Sequence, residues 1–335
     1  MKPSEFWNHE AHHPRASWME SPAVRRSINR QVTGDPDEWP LDWFQRHLGG
    51  RVFRRALSVG CGAGHFERHL VRMGVCERID AFDASVSSLA LAQRAAREEG
   101  LRGIRWFAAD FNRPALPRRR YDAVFFHQSL HHVAKLEKLL RQVLRCLTAD
   151  GLVFLDEYVG PSRHEWTEER VGRYQPLYER VPEEARWFDL MPFPVEWDDL
   201  SEAVRSGDIV ARLRVGFRIE ELRGYGGNVL AVLYPALVHR RITGEMIDWM
   251  LAEDRAAVAA GEAPFHAVIL ARPKTGWTAR LAGWRYWLEP KVQHTLRLLA
   301  RGLRPPGPQV RRPRRLLHPP EYDRDPGDSR NPERT

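Results

Sequence analysis

The sequence predicts an α/β fold in which helices cover both faces of a parallel sheet. A short apolar run at 56–59 leads into three glycines at alternate positions, and a helical pattern follows at once. Apolar runs and helical patterns then alternate to about residue 157. The chain has 335 residues, of which 43% are hydrophobic, and this is enough for a sizeable core.

The individual elements follow from local periodicity and turn signals. In the helix predicted at 134–147, leucine and valine recur at three- and four-residue steps, and Asp150-Gly151 predicts the turn out of it. Strands are predicted near 55–59, 78–82, 103–108, 121–126, 151–157, 217–222 and 265–271. Helices are predicted near 65–73, 86–99, 134–147 and 243–260.

Composition divides the chain into four parts. Residues 1–50 are rich in aromatic side chains and predict a helical N-terminal cap, and the main domain is predicted to span 51–272. A proline-rich insertion at about 160–215 separates the fifth and sixth strands. Residues 273–303 predict a basic amphipathic helix, and 304–335 predict a disordered tail rich in proline and arginine.

The net charge of +8 belongs to the C-terminal part of the chain. Residues 271–335 hold 15 of the 52 basic and 6 of the 44 acidic residues, which leaves 37 basic and 38 acidic residues before them. The body is therefore neutral, which argues against a nucleic-acid partner. Three scattered cysteines predict no disulfide framework, and no signal peptide or membrane span is recognisable, so we expect a cytoplasmic protein.

The glycine turn is the most informative functional signal. Gly60, Gly62 and Gly64 connect a strand to a helix, and the missing Cβ atoms let backbone approach a ligand closely. The expected ligand is a nucleoside-type cofactor. Cys61 lies between two of these glycines and is predicted to be a small filler, because no neighbour prepares a thiolate.

Two carboxylates at later strand ends narrow the choice of cofactor. Asp83 ends the second strand, where a carboxylate can accept the hydroxyl protons of a ribose. Its alternative role is to cap the helix that follows. Asp110 ends the third strand, where it can accept an adenine amino proton or simply cap a loop.

In order along residues 53–160, the motifs resemble those of the class I S-adenosylmethionine-dependent methyltransferases. The first motif reads Leu-Ser-Val-Gly-Cys-Gly-Ala-Gly, the ribose motif Ile-Asp-Ala-Phe-Asp-Ala-Ser, and the adenine-side motif Ala-Ala-Asp-Phe-Asn. The fourth motif reads Tyr-Asp-Ala-Val-Phe-Phe-His-Gln-Ser-Leu-His-His-Val, and a fifth strand with its lead-in turn follows. Ser58 departs from the family, in which an acidic residue is common there, and Asp150 replaces a common glycine.

This resemblance implies a Rossmann-like, seven-stranded, mostly parallel sheet whose last pair includes an antiparallel strand. It also implies S-adenosyl-L-methionine as the cofactor and methyl transfer (EC 2.1.1.-) as the reaction. The residues predicted to bind the cofactor are Gly60, Cys61, Gly62, Gly64, Asp83, Ala84, Asp110, Phe111 and His127.

The acceptor is expected at the carboxyl ends of the fourth and fifth strands. Methyl transfer from a sulfonium needs an aligned acceptor and, for a hydroxyl, a base. We predict His132, ahead of His131, as this base; the alternative is that neither is catalytic. As neighbours, the two are expected to point in different directions. Glu157 can hold or deprotonate the substrate, or pair with Arg163.

A metal site is not predicted. A zinc site could be assembled by count from His127, His131, His132 and His164. However, these histidines include no helical i, i+4 pair, so the spacing does not favour zinc.

The predicted substrate is a small molecule that accepts the methyl group on oxygen or nitrogen. After the fourth strand, base-methylating enzymes of this fold carry an Asn/Asp-Pro-Pro-Tyr/Phe run, whereas 127–130 read His-Gln-Ser-Leu. The segment 157–163, followed by Trp166, resembles a bacterial subgroup in which a Trp-rich N-terminus and an insertion cover the acceptor pocket. A sugar, a glycolipid precursor or a secondary metabolite would fit.

Other functions and partners stay open at this point. The chain could be a binding protein that has lost catalysis, or a methyltransferase of RNA or protein. The basic amphipathic stretch 277–299 predicts either peripheral contact with an anionic membrane or packing on the domain or on a second subunit of a homodimer.

Overall fold

A computed structural model gives the fold of most of the chain. The predicted tail at 304–335 and most of the predicted helix at 273–303 lie outside the residues that it describes. Those residues are 7–8, 17–113, 115–196, 198–275, 281–282 and 284–288.

The strands form a seven-stranded sheet in the order β3-β2-β1-β4-β5-β7-β6. Their bounds are β1 (Ala56–Val59), β2 (Ile79–Asp83), β3 (Ile104–Ala108), β4 (Tyr121–His127), β5 (Leu147–Tyr158), β6 (Phe217–Gly226) and β7 (His266–Pro273). The first five strands pair in parallel, and β7 runs antiparallel to both β5 and β6. The predicted sheet, including its antiparallel member, is confirmed.

Helices lie before the first strand and between later strands. In chain order the α-helices of the described residues are α1 (Pro22–Thr33), α2 (Pro40–His47), α3 (His65–Arg72), α4 (Val86–Glu98), α5 (Leu136–Cys146), α6 (Glu168–Gly172), α7 (Gln175–Glu179), α8 (Ile209–Gly216), α9 (Leu230–Leu233) and α10 (Gly244–Ala259). The four predicted near 65–73, 86–99, 134–147 and 243–260 are α3, α4, α5 and α10.

Hydrophobic cores lie on both faces of the sheet. Successive residues of a strand point to opposite faces, so Phe125 of β4 joins one core and Phe126 joins the other. The first core includes Phe44 of α2, whereas the second includes Leu140 of α5. A sheet buried on both faces explains why the central strands read as continuous apolar runs.

The start of β5 differs from the prediction. The strand begins at Leu147, so Asp150 and Gly151 lie inside it and do not form a turn. Tyr121 pairs with Leu147 but Ala123 pairs with Leu152, and the intervening residues of β5 are accommodated by this shift in register. A bulge thus takes the place of the expected turn.

The segments outside the main alternation pack against it. Helices α1 and α2 precede β1, as expected of a helical cap, and short helices occupy the stretch between β5 and β6. In the described part of the C-terminal stretch, Tyr286 is buried and its hydroxyl donates to the carbonyl of Arg212 at 2.7 Å. No helix within the described ranges combines the length and apolar character that a membrane span needs.

Candidate active site

The glycine turn after β1 is held in place by close packing. Gly60 has φ +71°, and a Cβ there would lie 2.6 Å from the Cβ of Ser129, which follows β4. Gly64 has φ +73°, and a Cβ there would clash with the ring of Trp106. Only glycine meets both demands at these positions. The turn therefore has a fixed shape against Trp106 of β3 and the residue after β4.

The middle of the turn is open and is tied to β2. A Cβ at Gly62 would meet no atom of the described residues within 4 Å. The Gly62 N–H donates to Asp83 Oδ2 at 2.8 Å, and the Ser85 N–H donates to Asp83 Oδ1 at 2.8 Å. Ala84, which lies between Asp83 and Ser85 in the chain, is half-buried. Ser85 caps α4 through Ser88, so the capping role considered for Asp83 falls to Ser85.

Burial shifts the pKa values of two side chains around this turn. Burial raises the pKa of Asp83 above its usual range and raises the pKa of the Cys61 thiol well above its own. A thiol with a raised pKa is a poor nucleophile, in agreement with the filler role predicted for Cys61.

Ser58 stands where an acidic residue is common in the family that the motifs resemble. A carboxylate reaches this place from Glu67 of α3. The Ser58 hydroxyl donates to Glu67 Oε1 at 2.5 Å, and both side chains are buried. Burial raises the pKa of Glu67 to about 7. Sequence reasoning did not identify Glu67, although its place three residues before the buried Leu70 puts it on the inward face of the helix.

The remaining cofactor candidates lie around the same edge. Asp110 is exposed and its Oδ1 accepts the Asn112 N–H at 2.7 Å, which is the loop-capping bond considered as its alternative role. His127 stacks on Phe66 of α3, with ring centroids 4.6 Å apart and planes 7° apart. Phe111 is partly buried against the core that contains α5.

Glu157 uses both of its carboxylate oxygens within the protein. Oε2 accepts the backbone N–H groups of Ser129 and Leu130, at 2.9 and 2.6 Å. Oε1 accepts the N–H of Tyr158 at 2.8 Å and a short bond from His131 Nδ1. The side chain is 0% exposed. This arrangement suits a residue that shapes the turn after β4 and orients His131.

The alternative partner of Glu157 is contradicted by the structure. Arg163 donates to the backbone carbonyls of Asp199, at 2.9 Å, and Glu196, at 3.2 Å. The insertion folds back so that these carbonyls surround the guanidinium. Arg163 thus holds the insertion together and leaves Glu157 to His131.

His131 and His132 converge, contrary to the expectation that they diverge. Their ring centroids are 4.1 Å apart, and both lie in a 3₁₀ turn, Leu130–His132. Consecutive side chains in such a turn are about 120° apart, whereas a strand would place them on opposite sides. Glu202 of the insertion faces both rings, with its Oε2 3.8 Å from His131 Nε2 and 3.7 Å from His132 Nε2.

A second carboxylate of the insertion contacts the other nitrogen of His132. Asp199 is 0% exposed, and its Oδ2 lies 3.5 Å from His132 Nδ1. Ser201 Oγ donates to Asp199 Oδ1 at 2.6 Å and lies 3.3 Å from the same ring nitrogen. Neither Asp199 nor Glu202 was recognised from the sequence, because no periodic pattern marks the insertion.

Two imidazole rings, His131 and His132, lie beside the negatively charged side chains of Asp199 and Glu202. We call these four residues the cluster. Burial by itself would lower the pKa of His131, but the charges of Glu157, Glu202 and Asp199 outweigh it and raise that pKa to about 9. Burial and the neighbouring His131 lower the pKa of His132. The cluster therefore favours one added positive charge.

Residues 7–8 connect this cluster to the glycine turn. Trp7 Nε1 donates to Asp199 Oδ2 at 3.1 Å, and its ring meets His132 edge-on at 5.0 Å between centroids. Asn8 Oδ1 accepts the Ser85 hydroxyl at 2.9 Å beside Asp83. The two residues thus cross the carboxyl edge of the sheet from β2 to the cluster.

Three side chains in the described part of the chain have the composition of a metal site. Ligand atoms of His131, His132 and Glu202 all lie within 4.8 Å of one another. His127 and His164, which the sequence offered for a zinc site, are not in this group.

The family comparison agrees with the strand order. Residues 57–155, from β1 to near the end of β5, match the sequence model of the methyltransferase domain family. This part of the chain is thus similar to the methyltransferase domain family, and the match supports S-adenosyl-L-methionine as the cofactor, as predicted.

Individual relatives are distant. A malonyl-[acyl-carrier protein] O-methyltransferase of Legionella pneumophila is 27% identical, with 42% of this chain and 52% of the relative aligned. A ubiquinone biosynthesis O-methyltransferase of Aeromonas salmonicida is 28% identical, with 34% of this chain and 48% of the relative aligned. The chain spans about half the length of the curated relatives it matches.

The solved structures that resemble this chain do so with low TM-scores and low sequence identity. An S-adenosylmethionine dependent methyltransferase from Mesorhizobium loti aligns with 66% of this chain and 90% of its own, at 19% identity and a TM-score of 0.41. Similarity at that level carries no functional argument, and the fold assignment depends on the strand order described above.

Proposed function

We propose that this chain transfers the methyl group of S-adenosyl-L-methionine to an oxygen or nitrogen of a small molecule. The observation that carries the proposal is that two groups of residues lie at the same edge of the sheet. The glycine turn with Asp83 and the cluster with His131 and His132 lie along one edge of the sheet, joined by Ser129. In open α/β sheets, ligands bind at the carboxyl ends of the strands, and both features lie there.

On the cofactor side, the backbone of the glycine turn would face the methionine part of the cofactor. Asp83 would accept the ribose hydroxyl protons while it keeps the bond from Gly62 N–H. The adenine is proposed to lie at the same edge of the sheet. The residues proposed to contact it are Asp110, Phe111 and His127.

On the acceptor side, the protein has to align the acceptor atom behind the methyl carbon. The new bond forms at that carbon as the C–S bond breaks, and its electron pair stays on sulfur. Glu157 is proposed as a positioning residue, since it fixes His131 and the turn after β4. His131 and His132 are proposed to face the acceptor.

The acceptor class is proposed from three features. The name of one relative describes O-methyl transfer in ubiquinone biosynthesis. Trp7 lies over the cluster, and a Trp-rich cover suits an acceptor with some apolar surface. The first 270 residues carry almost no net charge, unlike a typical nucleic-acid binder.

The test is transfer of a labelled methyl group. Full-length chain is incubated with [methyl-³H]S-adenosylmethionine and fractionated extract, alongside the variant Asp83→Asn. We expect label in a fraction below about 1 kDa from the wild type, and at least tenfold less from the variant.

The same assay distinguishes the other functions. Label that stays in protein or RNA fractions would contradict a small-molecule acceptor. Cofactor binding without transfer to any fraction would instead indicate a binding protein that has lost catalysis.

A further inference from the structure

We propose that His131, His132 and Glu202 bind one divalent first-row transition-metal ion, which holds the oxygen of the acceptor. This proposal rests on the proposed function for its role in catalysis, but the binding site itself rests only on the arrangement of these side chains. It also narrows the acceptor to a molecule with an ionisable hydroxyl group.

The first argument is the distance between the three ligand atoms. Glu202 Oε2 lies 3.8 and 3.7 Å from the two Nε2 atoms, which is too long for hydrogen bonds. Two ligands of one tetrahedral ion, each bonded at about 2.1 Å, are roughly 3.4 Å apart. The two distances to Glu202 Oε2 thus exceed this separation by only a few tenths of an ångström.

The second argument comes from the proton positions on the imidazoles. Glu157 only accepts, so its bond from His131 Nδ1 places a proton on that nitrogen. Ser201 gives its single proton to Asp199, so it can only accept from His132 Nδ1. An ion that binds here displaces any proton from His131 Nε2, so both Nε2 atoms can then offer a lone pair, and they face a carboxylate.

The third argument is the outer layer of carboxylates. Histidines that bind metals usually donate their other N–H to a carboxylate or carbonyl, which fixes the ring and strengthens the ligand. His131 has Glu157 in this place, and His132 has Ser201 and Asp199. Both outer carboxylates are completely buried, so the fold fixes their positions beside the rings.

The ligand types indicate which ion is bound. Two imidazoles and one carboxylate suit zinc, iron(II), cobalt(II) or nickel(II), whereas magnesium and calcium prefer oxygen ligands. Three protein ligands leave at least one coordination position for a further oxygen atom.

An ion at this place would supply the acid–base part of the reaction. A hydroxyl oxygen bound to it has a lowered pKa and releases its proton to water. The oxygen then attacks the methyl carbon, an O–C bond forms, and the C–S bond breaks with its electron pair on sulfur. The products are the methyl ether, S-adenosylhomocysteine and one proton, so charge and atoms balance.

The experiment titrates untagged, chelator-treated full-length chain with Zn²⁺ by calorimetry, and with Co²⁺ by visible absorption. We expect one equivalent of Zn²⁺ to bind the wild type and Co²⁺ to give a d–d absorption band. Glu202→Gln keeps the size of the side chain but removes the charged ligand, and should weaken Zn²⁺ binding at least tenfold. His164→Ala removes an exposed histidine of the insertion and serves as the matched control.

The proposal is overturned if the wild type binds no stoichiometric Zn²⁺, or if Glu202→Gln binds it as tightly as the wild type. Equal losses in Glu202→Gln and His164→Ala would also overturn it, because surface histidines would then account for the heat. Titration with S-adenosylmethionine on the same samples separates the two proposals: absent Zn²⁺ binding with intact cofactor binding rejects only the metal site.

Discussion

At the scale of single residues, Glu67 has a measurable consequence. Its pKa of about 7 in the folded chain exceeds the usual 4.5, so the folded state holds the proton more tightly than the unfolded state. The stability from this proton is therefore fully present below pH 4.5 and is lost as the pH rises to about 7.

The variant Glu67→Gln should remove this loss, because the amide keeps an oxygen for Ser58 and carries no charge. We expect it to exceed the wild type by about 2–3 kcal/mol in free energy of unfolding at pH 8 and to match it at pH 4.5. Urea unfolding at both pH values measures the difference.

The matched control for Glu67 is Glu98→Gln, which alters an exposed ion pair with Arg94 on α4. It should change the free energy of unfolding by about 0.5 kcal/mol or less at either pH. A stabilisation by Glu67→Gln that is equal at pH 4.5 and pH 8 would disagree with a raised pKa.

Which residues the sequence could reveal depends on how they are positioned. Gly60, Gly62, Gly64 and Asp83 stand next to regular strands, so their spacing predicts their place. The bonds of Glu157 depend on how β5 meets the turn after β4, and the approach of Glu202 to the histidines depends on the long-range folding of the insertion. No local pattern encodes such contacts.

At the scale of elements, the glycine turn can be tested through two glycines that both have a positive φ. Gly60 and Gly34 both have positive φ, but only a Cβ at Gly60 would meet another residue, Ser129. Gly34→Ala should lower the free energy of unfolding by about 1 kcal/mol, the cost of the left-handed conformation. Gly60→Ala adds a clash and should cost roughly 2–4 kcal/mol.

Denaturant unfolding of the two glycine variants gives the comparison. Equal losses in Gly34→Ala and Gly60→Ala would show that the turn is not packed against the residue after β4. The shape proposed for the cofactor side would then need revision.

The N-terminal segment forms a second testable element. Trp7 contacts His132 and Asp199, and its neighbour Asn8 bonds Ser85 at the other side of the site. Trp7→Ala should therefore speed release of S-adenosylmethionine by about tenfold, because a covering contact is lost. Stopped-flow displacement measures the rate.

Trp39→Ala is the control for Trp7, since Trp39 is about half exposed. It should leave the release rate of the cofactor unchanged. Identical release from wild type and Trp7→Ala would argue that residues 7–8 do not cover the bound cofactor.

Elements differ in how well the sequence predicts them. The strands that are buried on both faces read as apolar runs, and each was predicted within a few residues. The sequence does not predict the start of β5, because the irregularity there depends on the register with β4. The short helices between β5 and β6 lack the length over which helical periodicity becomes visible.

At the scale of the whole molecule, one sheet edge gathers every residue of the candidate site. Parallel strands deliver their carboxyl ends to that edge, and the crossover between β1 and β4 opens it to a ligand. Residues 7–8 and the insertion contact the side chains at this edge. The methyl donor and acceptor are thereby proposed to meet at the ends of β1, β4 and β5.

The most direct measurement is a calorimetric titration of the full chain with S-adenosylmethionine, together with Asp83→Asn and the exposed control Asp248→Asn. We predict one site with a dissociation constant of roughly 1–100 µM in the wild type and the control, and binding at least tenfold weaker in Asp83→Asn. No binding to the wild type, or equal binding to all three chains, would contradict a cofactor site at the carboxyl edge.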